Sequence, residues 1–192
     1  MNVRVVIARH AEPIGWVRML PRDWDVVIYN KGSSIKECFG ATVVDRPNIG
    51  REAETFCFHN SSVLPCDYTI YLQGNPFDHC IGLVEIAEAV MLRRDRVGWL
   101  GFHFDTSWNG HPHTPEDLGL RNVWARLGLR GACPRSLAFS AGAQMVVSGE
   151  YVSSRSAAWW AMATDISATE DWRVAHCFER LWPTIYSKGE PS

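Results

Sequence analysis

Much of what would narrow a function is missing from this chain. Its six cysteines, at 38, 57, 66, 80, 133 and 177, form no C-x-x-C pair, and several lie inside apolar runs. A thiol in such a run behaves as a small hydrophobe, so free thiols are expected rather than a disulfide framework. No stretch approaches the roughly 18 apolar residues of a membrane span. The opening residues, MNVRVVIARH, lack the long apolar core and small-residue cleavage site of a signal peptide. A soluble, cytoplasmic protein is therefore expected. Charge of one sign is also lacking: 19 Lys and Arg face 21 Asp and Glu, for a net charge of -2. That leaves no global basic field for nucleic acid, and small or neutral ligands fit better. No repeat, low-complexity tract or linker divides the 192 residues, which points to a single domain over 1–192 with its own core.

What is present is an alternation of short apolar runs and helical patterns. Val3 to Ala8 is apolar apart from Arg4 and rich in β-branched residues, as a buried parallel strand should be. A short helical stretch, Ile14 to Leu20, stops before Pro21, and Asp25 to Tyr29 runs into the turn Asn30-Lys31-Gly32. Ala41 to Val44 is a third short strand, Gly50 to Leu64 has helical spacing and ends at Pro65, and Tyr68 to Leu72 is a buried strand. This order predicts an α/β sheet with helices on its faces. Further on, Ile81 to Arg94 reads as an amphipathic helix, Trp99 to Phe104 as a strand, and Gly110 to Pro115 as a His- and Pro-rich loop. Helices are expected over Glu116 to Leu127, Ser153 to Met162 and Thr169 to Trp182, with Met145 to Val147 extended and a frayed tail after Tyr186. The nine tryptophans are many for this length, and core packing explains most of them.

The chemistry gathers at both ends of one helix and one strand, in PNIGREAETFCFHNSSVLPCDYTIYLQGNPFDH, from Pro47 to His79. Asn48, Gly50, Arg51 and Glu52 open a helix; Gln73, Asn75, Asp78 and His79 follow a strand. Loops at element ends of an α/β sheet are where ligands bind. Arg9-His10-Ala11-Glu12, at the end of the first strand, resembles the R-H-G/A-E opening of histidine phosphatases. Such an enzyme needs a second histidine and a second arginine to match phosphoryl charge, yet the late strand LAFSAGAQMVVSG carries no histidine. His103, Asp105, His111 and His113 have compact metal-ligand spacing and suggest a metal hydrolase, with no glutamate base beside them.

A resemblance accounts for more of the chain. The strings VVIARHAEPIGWV, VVIYNKG, PNIGREAETFCFH, LPCDYTIYLQGNPFDH, SAGAQMVVSGEYVSSR and AHCFERLW occur in the order seen in a family of uncharacterised glycosyltransferase-like domains, and the likeness runs from Val3 to Tyr186. Members resemble compact GT-A-type glycosyltransferases. The resemblance implies a single-domain, GT-A-like (Rossmann-like), mostly parallel sheet flanked by helices. It also implies an enzyme that moves a sugar from a nucleotide-diphosphate donor to a carbohydrate or other hydroxyl acceptor.

Carried onto this sequence, the first and second strand ends hold the nucleotide and a later strand end holds metal and diphosphate. Arg9, His10 and Glu12 take the first position, where many relatives have Tyr-Asn-Glu; Asn30 and Lys31 take the second. Asn48, Gly50, Arg51 and Glu52 match an N-G-R-E signature: glycine admits a tight backbone, the helix start favours an anion, and Arg offers a bidentate fork. Gln73 to His79 falls where the D-x-D metal motif lies in GT-A folds, with Asn75 replacing an acid. Mn²⁺ or Mg²⁺ would then be held by Asn75, Asp78, His79 and His176. Gly142 and Gln144 match the loop lining acceptor and donor sugar, and Asp78 and Glu179 are the candidate catalytic bases. Three plainer readings stand beside these: a capping network at Gly50 to Glu52, a cap by Asn75 or Asp78 on the helix from Ile81, and a solvated Glu179–Arg180 pair. A non-catalytic nucleotide-sugar binder and a phosphatase using Arg9 and His10 are the alternative functions.

Overall fold

The computed structural model describes residues 1–107 and 117–187. The histidine-rich loop expected at 110–115, with His111 and His113, the helix start at 114–116 and the tail beyond Ser187 lie outside the described residues. Strand β1 (Val3–Arg9) alternates its side chains between two cores: Val3, Val5 and Ile7 enter one, and Val6 the other. That period of two, with both faces apolar, is what a strand covered on both sides requires. β2 (Asp25–Asn30) and β4 (Tyr68–Gln73) divide in the same way, with Tyr29 and Tyr71 on one side and Ile28, Ile70 and Leu72 on the other.

The remaining strands are β3 (Thr42–Asp45), β5 (Val97–Trp99), β6 (His103–Ser107), β7 (Ser136–Ser140) and β8 (Met145–Ser148). The main sheet has six strands in the order β3-β2-β1-β4-β8-β5. β3, β2, β1 and β4 are parallel, and β8 runs antiparallel between β4 and β5. β6 and β7 form a separate antiparallel pair. The helices are α1 (Arg51–Ser62), α2 (Leu83–Leu92), α3 (Leu120–Arg126), α4 (Gly149–Val152), α5 (Ala157–Ser167) and α6 (Trp172–Ile185). α1, α3, α5 and α6 bury side chains in the core with Val6, while α2 and the 3-10 turn Gly15–Met19 pack in the other. The chain is thus an α/β protein built as one domain on a mostly parallel six-stranded sheet flanked by helices.

Several expected elements differ from the observed ones. The stretch Ile14 to Leu20 contains only a 3-10 turn, Gly15–Met19. The strand expected over Trp99 to Phe104 is two strands in two sheets, parted at Leu100–Phe102, where Leu100 N–H donates to the Gln144 carbonyl and Gly101 N–H to Ser140 Oγ. The helix expected over Ser153 to Met162 begins only at Ala157, as α5, and runs on to Ser167, because Ser156 caps it by accepting from Trp159 N–H at 3.1 Å; α4 precedes the expected start. The helix after the Asn75–Asp78 turn starts at Leu83, with Gly82 in the left-handed cap position and no side-chain cap. All six cysteines are free thiols, and Cys57, Cys80 and Cys177 are buried.

Candidate functional site

The connection β1-β2-β3 proceeds towards one edge of the sheet, and α1 then carries the chain back to β4 on the other side of β1. The topological switch therefore lies between the carboxyl ends of β1 and β4, where open α/β sheets bind ligands. A polar cleft of about 360 Å³ opens there. Arg9, His10 and Glu12 reach it from the end of β1, and Lys31 from the end of β2. Asn48, Arg51 and Glu52 come from the start of α1, and Gln73, Asn75 and Asp78 from the end of β4.

Two of its cations belong to the scaffold. The Arg9 guanidinium donates to the carbonyls of Glu12 (2.9 Å) and Ser33 (2.7 Å) and to Asn30 Oδ1 (2.5 Å), closing the loop after β1 onto the end of β2. Asn30 in turn donates to Asp45 Oδ1 at 2.8 Å, so three neighbouring strand ends share one network. The Lys31 ammonium donates to the carbonyls of Ile49 (2.7 Å) and Arg51 (2.6 Å) and pairs with the Glu54 carboxylate at 2.6 Å. Its three N–H bonds are thereby occupied. Burial pulls its pKa below the usual lysine value, against the opposing pull of Glu54. Arg46 closes the same buried carboxylate from the other side, and its guanidinium lies 3.6 Å over the Phe58 ring.

Lys31 fixes the entry of α1, which is tight. Gly50 caps it at φ 66°, and Arg51 follows at φ 51°. A Cβ on Gly50 would lie 2.2 Å from the Ser167 carbonyl oxygen, so only glycine fits. Left-handed backbone at a non-glycine residue stores about 1–3 kcal/mol and persists only where its surroundings hold it, here through Lys31 on the Arg51 carbonyl. The Arg51 side chain stays half exposed on the cleft, with its Nε 3.7 Å from Glu52 Oε2. Burial raises the Glu52 carboxyl above its ordinary value; the Arg51 charge works against that shift.

On the β1 side, Glu12 Oε2 accepts from the backbone N–H groups of His10 (2.7 Å) and Ala11 (3.0 Å). Its carboxylate also packs on Gly74, where an added Cβ would lie 2.4 Å away, and Trp16 Nε1–H donates to the Gly74 carbonyl at 2.9 Å. Asp78, exposed at the turn after β4, makes no hydrogen bond or ion pair among the described residues.

The remaining sequence candidates lie elsewhere. Asn30 and Gly50 sit behind the cleft wall, while Gly142, Gln144, His79, His176 and Glu179 do not line it. Gln144 is fully buried and donates to the Pro76 carbonyl at 3.0 Å, tying the turn before β8 to the turn after β4. His79 packs on Gly142, whose N–H donates to Glu179 Oε1 at 2.7 Å. Glu179 is buried against Arg180 at 2.8 Å, and His176 Nδ1 stands 3.5 Å from it. Burial alone would raise the Glu179 carboxyl, but His176, Arg180 and the Gly142 N–H together hold it below its ordinary value. Among the described residues no three His, Cys, Asp or Glu side chains form a metal-binding group. His103 and Asp105 both stand on β6, and both are exposed. Sequence reasoning missed Glu54 and Arg46; Glu54's place within the apolar face Ala53–Cys57 was the available signal.

No family model matches the chain, and no significant match is found among curated proteins or solved structures. The fold and cleft define the class: an α/β protein with a mostly parallel, helix-flanked sheet and a polar cleft at its switch point.

Proposed function

We propose that the chain is a glycosyltransferase that moves a sugar from a nucleotide-diphosphate donor to a hydroxyl acceptor. One observation supports this reading above the others: three parallel strand ends, of β2, β1 and β4, and the start of α1 meet around one polar cleft. Those are the strand ends that the GT-A resemblance associates with nucleotide and diphosphate. His10 and Asn48 border the nucleotide side, and Arg51, at the positive end of α1, faces the diphosphate.

In the reaction the acceptor oxygen bonds to the anomeric carbon as the bond from that carbon to the diphosphate oxygen breaks. The electron pair leaves on the diphosphate, where Arg51 stabilises it. The acceptor proton passes to a carboxylate. Asp78 is open to the cleft, and Glu52, whose carboxyl burial raises above its ordinary value, is a second acceptor lining it. Glu179, the other base expected from the sequence, contributes in this reading through its grip on Gly142. Mg²⁺ or Mn²⁺ arriving with the diphosphate suits the donors present, since the Asp78 carboxylate and the amide oxygens of Gln73 and Asn75 are hard ligands. Such a cation would supply further neutralisation of the leaving group. A phosphatase reading is less favoured because the Arg9 donors, which would have to grip a phosphoryl group, bond to protein oxygens.

A thermal-shift panel of UDP, GDP and their sugars, with and without Mn²⁺, tests the reading. A ligand at 100 times its Kd stabilises by about 2.7 kcal/mol, which at roughly 2–4 °C per kcal/mol raises the Tm by about 5–11 °C. A shift with phosphate or vanadate and none with any nucleotide would overturn it.

A further inference from the structure

Beyond Arg51 a second hollow of about 260 Å³ adjoins the cleft and shares Asn48 and Arg51 with it. Its far wall is Trp172, in the first turn of α6. The two helix starts meet there because the Gly50 N–H donates to the Thr169 carbonyl at 3.1 Å.

Among the described tryptophans Trp172 is the most exposed. Trp124, Trp159, Trp160 and Trp182 are buried and Trp16, Trp24 and Trp99 partly buried, whereas Trp172 is 44 % exposed. It is also held in place: His176, one turn along α6, meets its ring edge-on at a centroid distance of 5.3 Å and an interplanar angle of 83°. The indole N–H and the side chains of Asn48 and Glu170 have no hydrogen-bond partner among the described residues. An oriented apolar ring bordered by unoccupied donors and acceptors matches a ligand with one apolar face and a polar edge. A pyranose has that form, with its C–H groups on one face and its hydroxyls around the rim.

We propose that this hollow is a pyranose-binding subsite, with Trp172 stacking on the C–H face of the ring and Asn48, Arg51 and Glu170 bonding its hydroxyls. Its role as the seat of the acceptor rests on the transferase reading, because Arg51 then separates the diphosphate from the acceptor by a single side chain. A nucleobase is the weaker occupant, since the nucleotide is assigned to the β1 and β2 ends, across Arg51 from this hollow.

The test uses methyl pyranosides of glucose, galactose, mannose and N-acetylglucosamine, and their disaccharides, as probes. Saturation-transfer NMR and tryptophan fluorescence are read on the wild type, Trp172→Phe and Trp172→Ala, with UDP and GDP titrated in parallel. The expected result is contact at the ring C–H protons for at least one sugar. Affinity should fall at least about tenfold in Trp172→Ala and largely survive in Trp172→Phe, with the Tm and the nucleotide response unchanged. Equal sugar affinity in wild type and Trp172→Ala, no sugar binding by the wild type, or displacement of the sugar by a free nucleoside would each overturn the proposal. Trp172-dependent sugar binding with no nucleotide response would sink the transferase reading and leave the sugar subsite standing.

Discussion

Glu54→Gln removes the charge that compensates Lys31 beneath the cleft, and the structure sets the size of the effect. Both side chains are almost wholly inaccessible, at 3 % for Lys31 and 1 % for Glu54, so water cannot replace the lost partner. Removing one member of a buried pair costs about 3–5 kcal/mol. For a chain of this length that lowers the Tm by roughly 6–20 °C. The loss should extend to ligand binding, because the same ammonium holds the Ile49 and Arg51 carbonyls that set the entry of α1. Lys31→Met leaves Glu54 paired with Arg46 but frees the Ile49 and Arg51 carbonyls, so it too should destabilise. In the double variant the stranded ammonium is gone, so its loss should be smaller than the sum of the two single losses. Urea unfolding of the four proteins as a double-mutant cycle gives the coupling directly. A loss below about 1 kcal/mol, the size of an exposed pair, or single losses that simply add, would refute the account of a coupled buried pair.

Two pH effects follow from other buried groups. Burial, reinforced by the Arg4 charge, lowers His59 to about 4, and its Nδ1 lies 2.9 Å from the Tyr29 hydroxyl. Unfolded chains take up that proton below about 6.5 while the folded protein does not until about 4, so stability falls with pH across this window. The full loss is about 3 kcal/mol; His59→Gln should flatten the acid limb of Tm against pH, and an unchanged limb would contradict the assignment. Glu52 has the opposite sign: its carboxyl is raised, so the folded protein holds the proton longer and loses stability as pH climbs above the ordinary carboxylate range. Glu52→Gln should raise the Tm at neutral pH. If Glu52 accepts the acceptor proton, turnover should fall roughly 10²–10⁴-fold and the acid limb of the rate profile should move with it; activity near wild type would exclude that role.

The central strands were legible because β1, β2 and β4 are buried on both faces, so an unbroken apolar run is itself the signal. The start of α1 was legible too, since Gly50 is the only residue that fits against Ser167 there. The β8–β5 edge of the sheet was not. Met145 to Val147 reads as one more extended apolar stretch, and only the distant partners of β8 make it antiparallel. At the site, the residue types marked the strand ends correctly enough to gather ten expected side chains around one cleft. Their assignments were less visible. Lys31 reads as a nucleotide contact until Glu54 is found beneath it, and Glu179 as a solvated helix carboxylate until the Gly142 N–H and Arg180 are found around it. Partners this far apart in the chain have no local spacing to show them.

That division of charge bears on how the cleft could work. Arg9, Lys31, Arg46 and Arg180 each meet buried or partly buried protein oxygens and tie the surrounding segments together. Arg51 keeps an open side chain over the cleft, on a backbone that those contacts hold in a left-handed conformation. A site that must stabilise charge appearing only in a transition state gains from donors already aimed and from surroundings that do not reorganise. The scaffold pairs supply the second condition and Arg51 the first. Replacing Arg51 should therefore weaken anion binding with little loss of stability, whereas replacing Glu54 should disturb both.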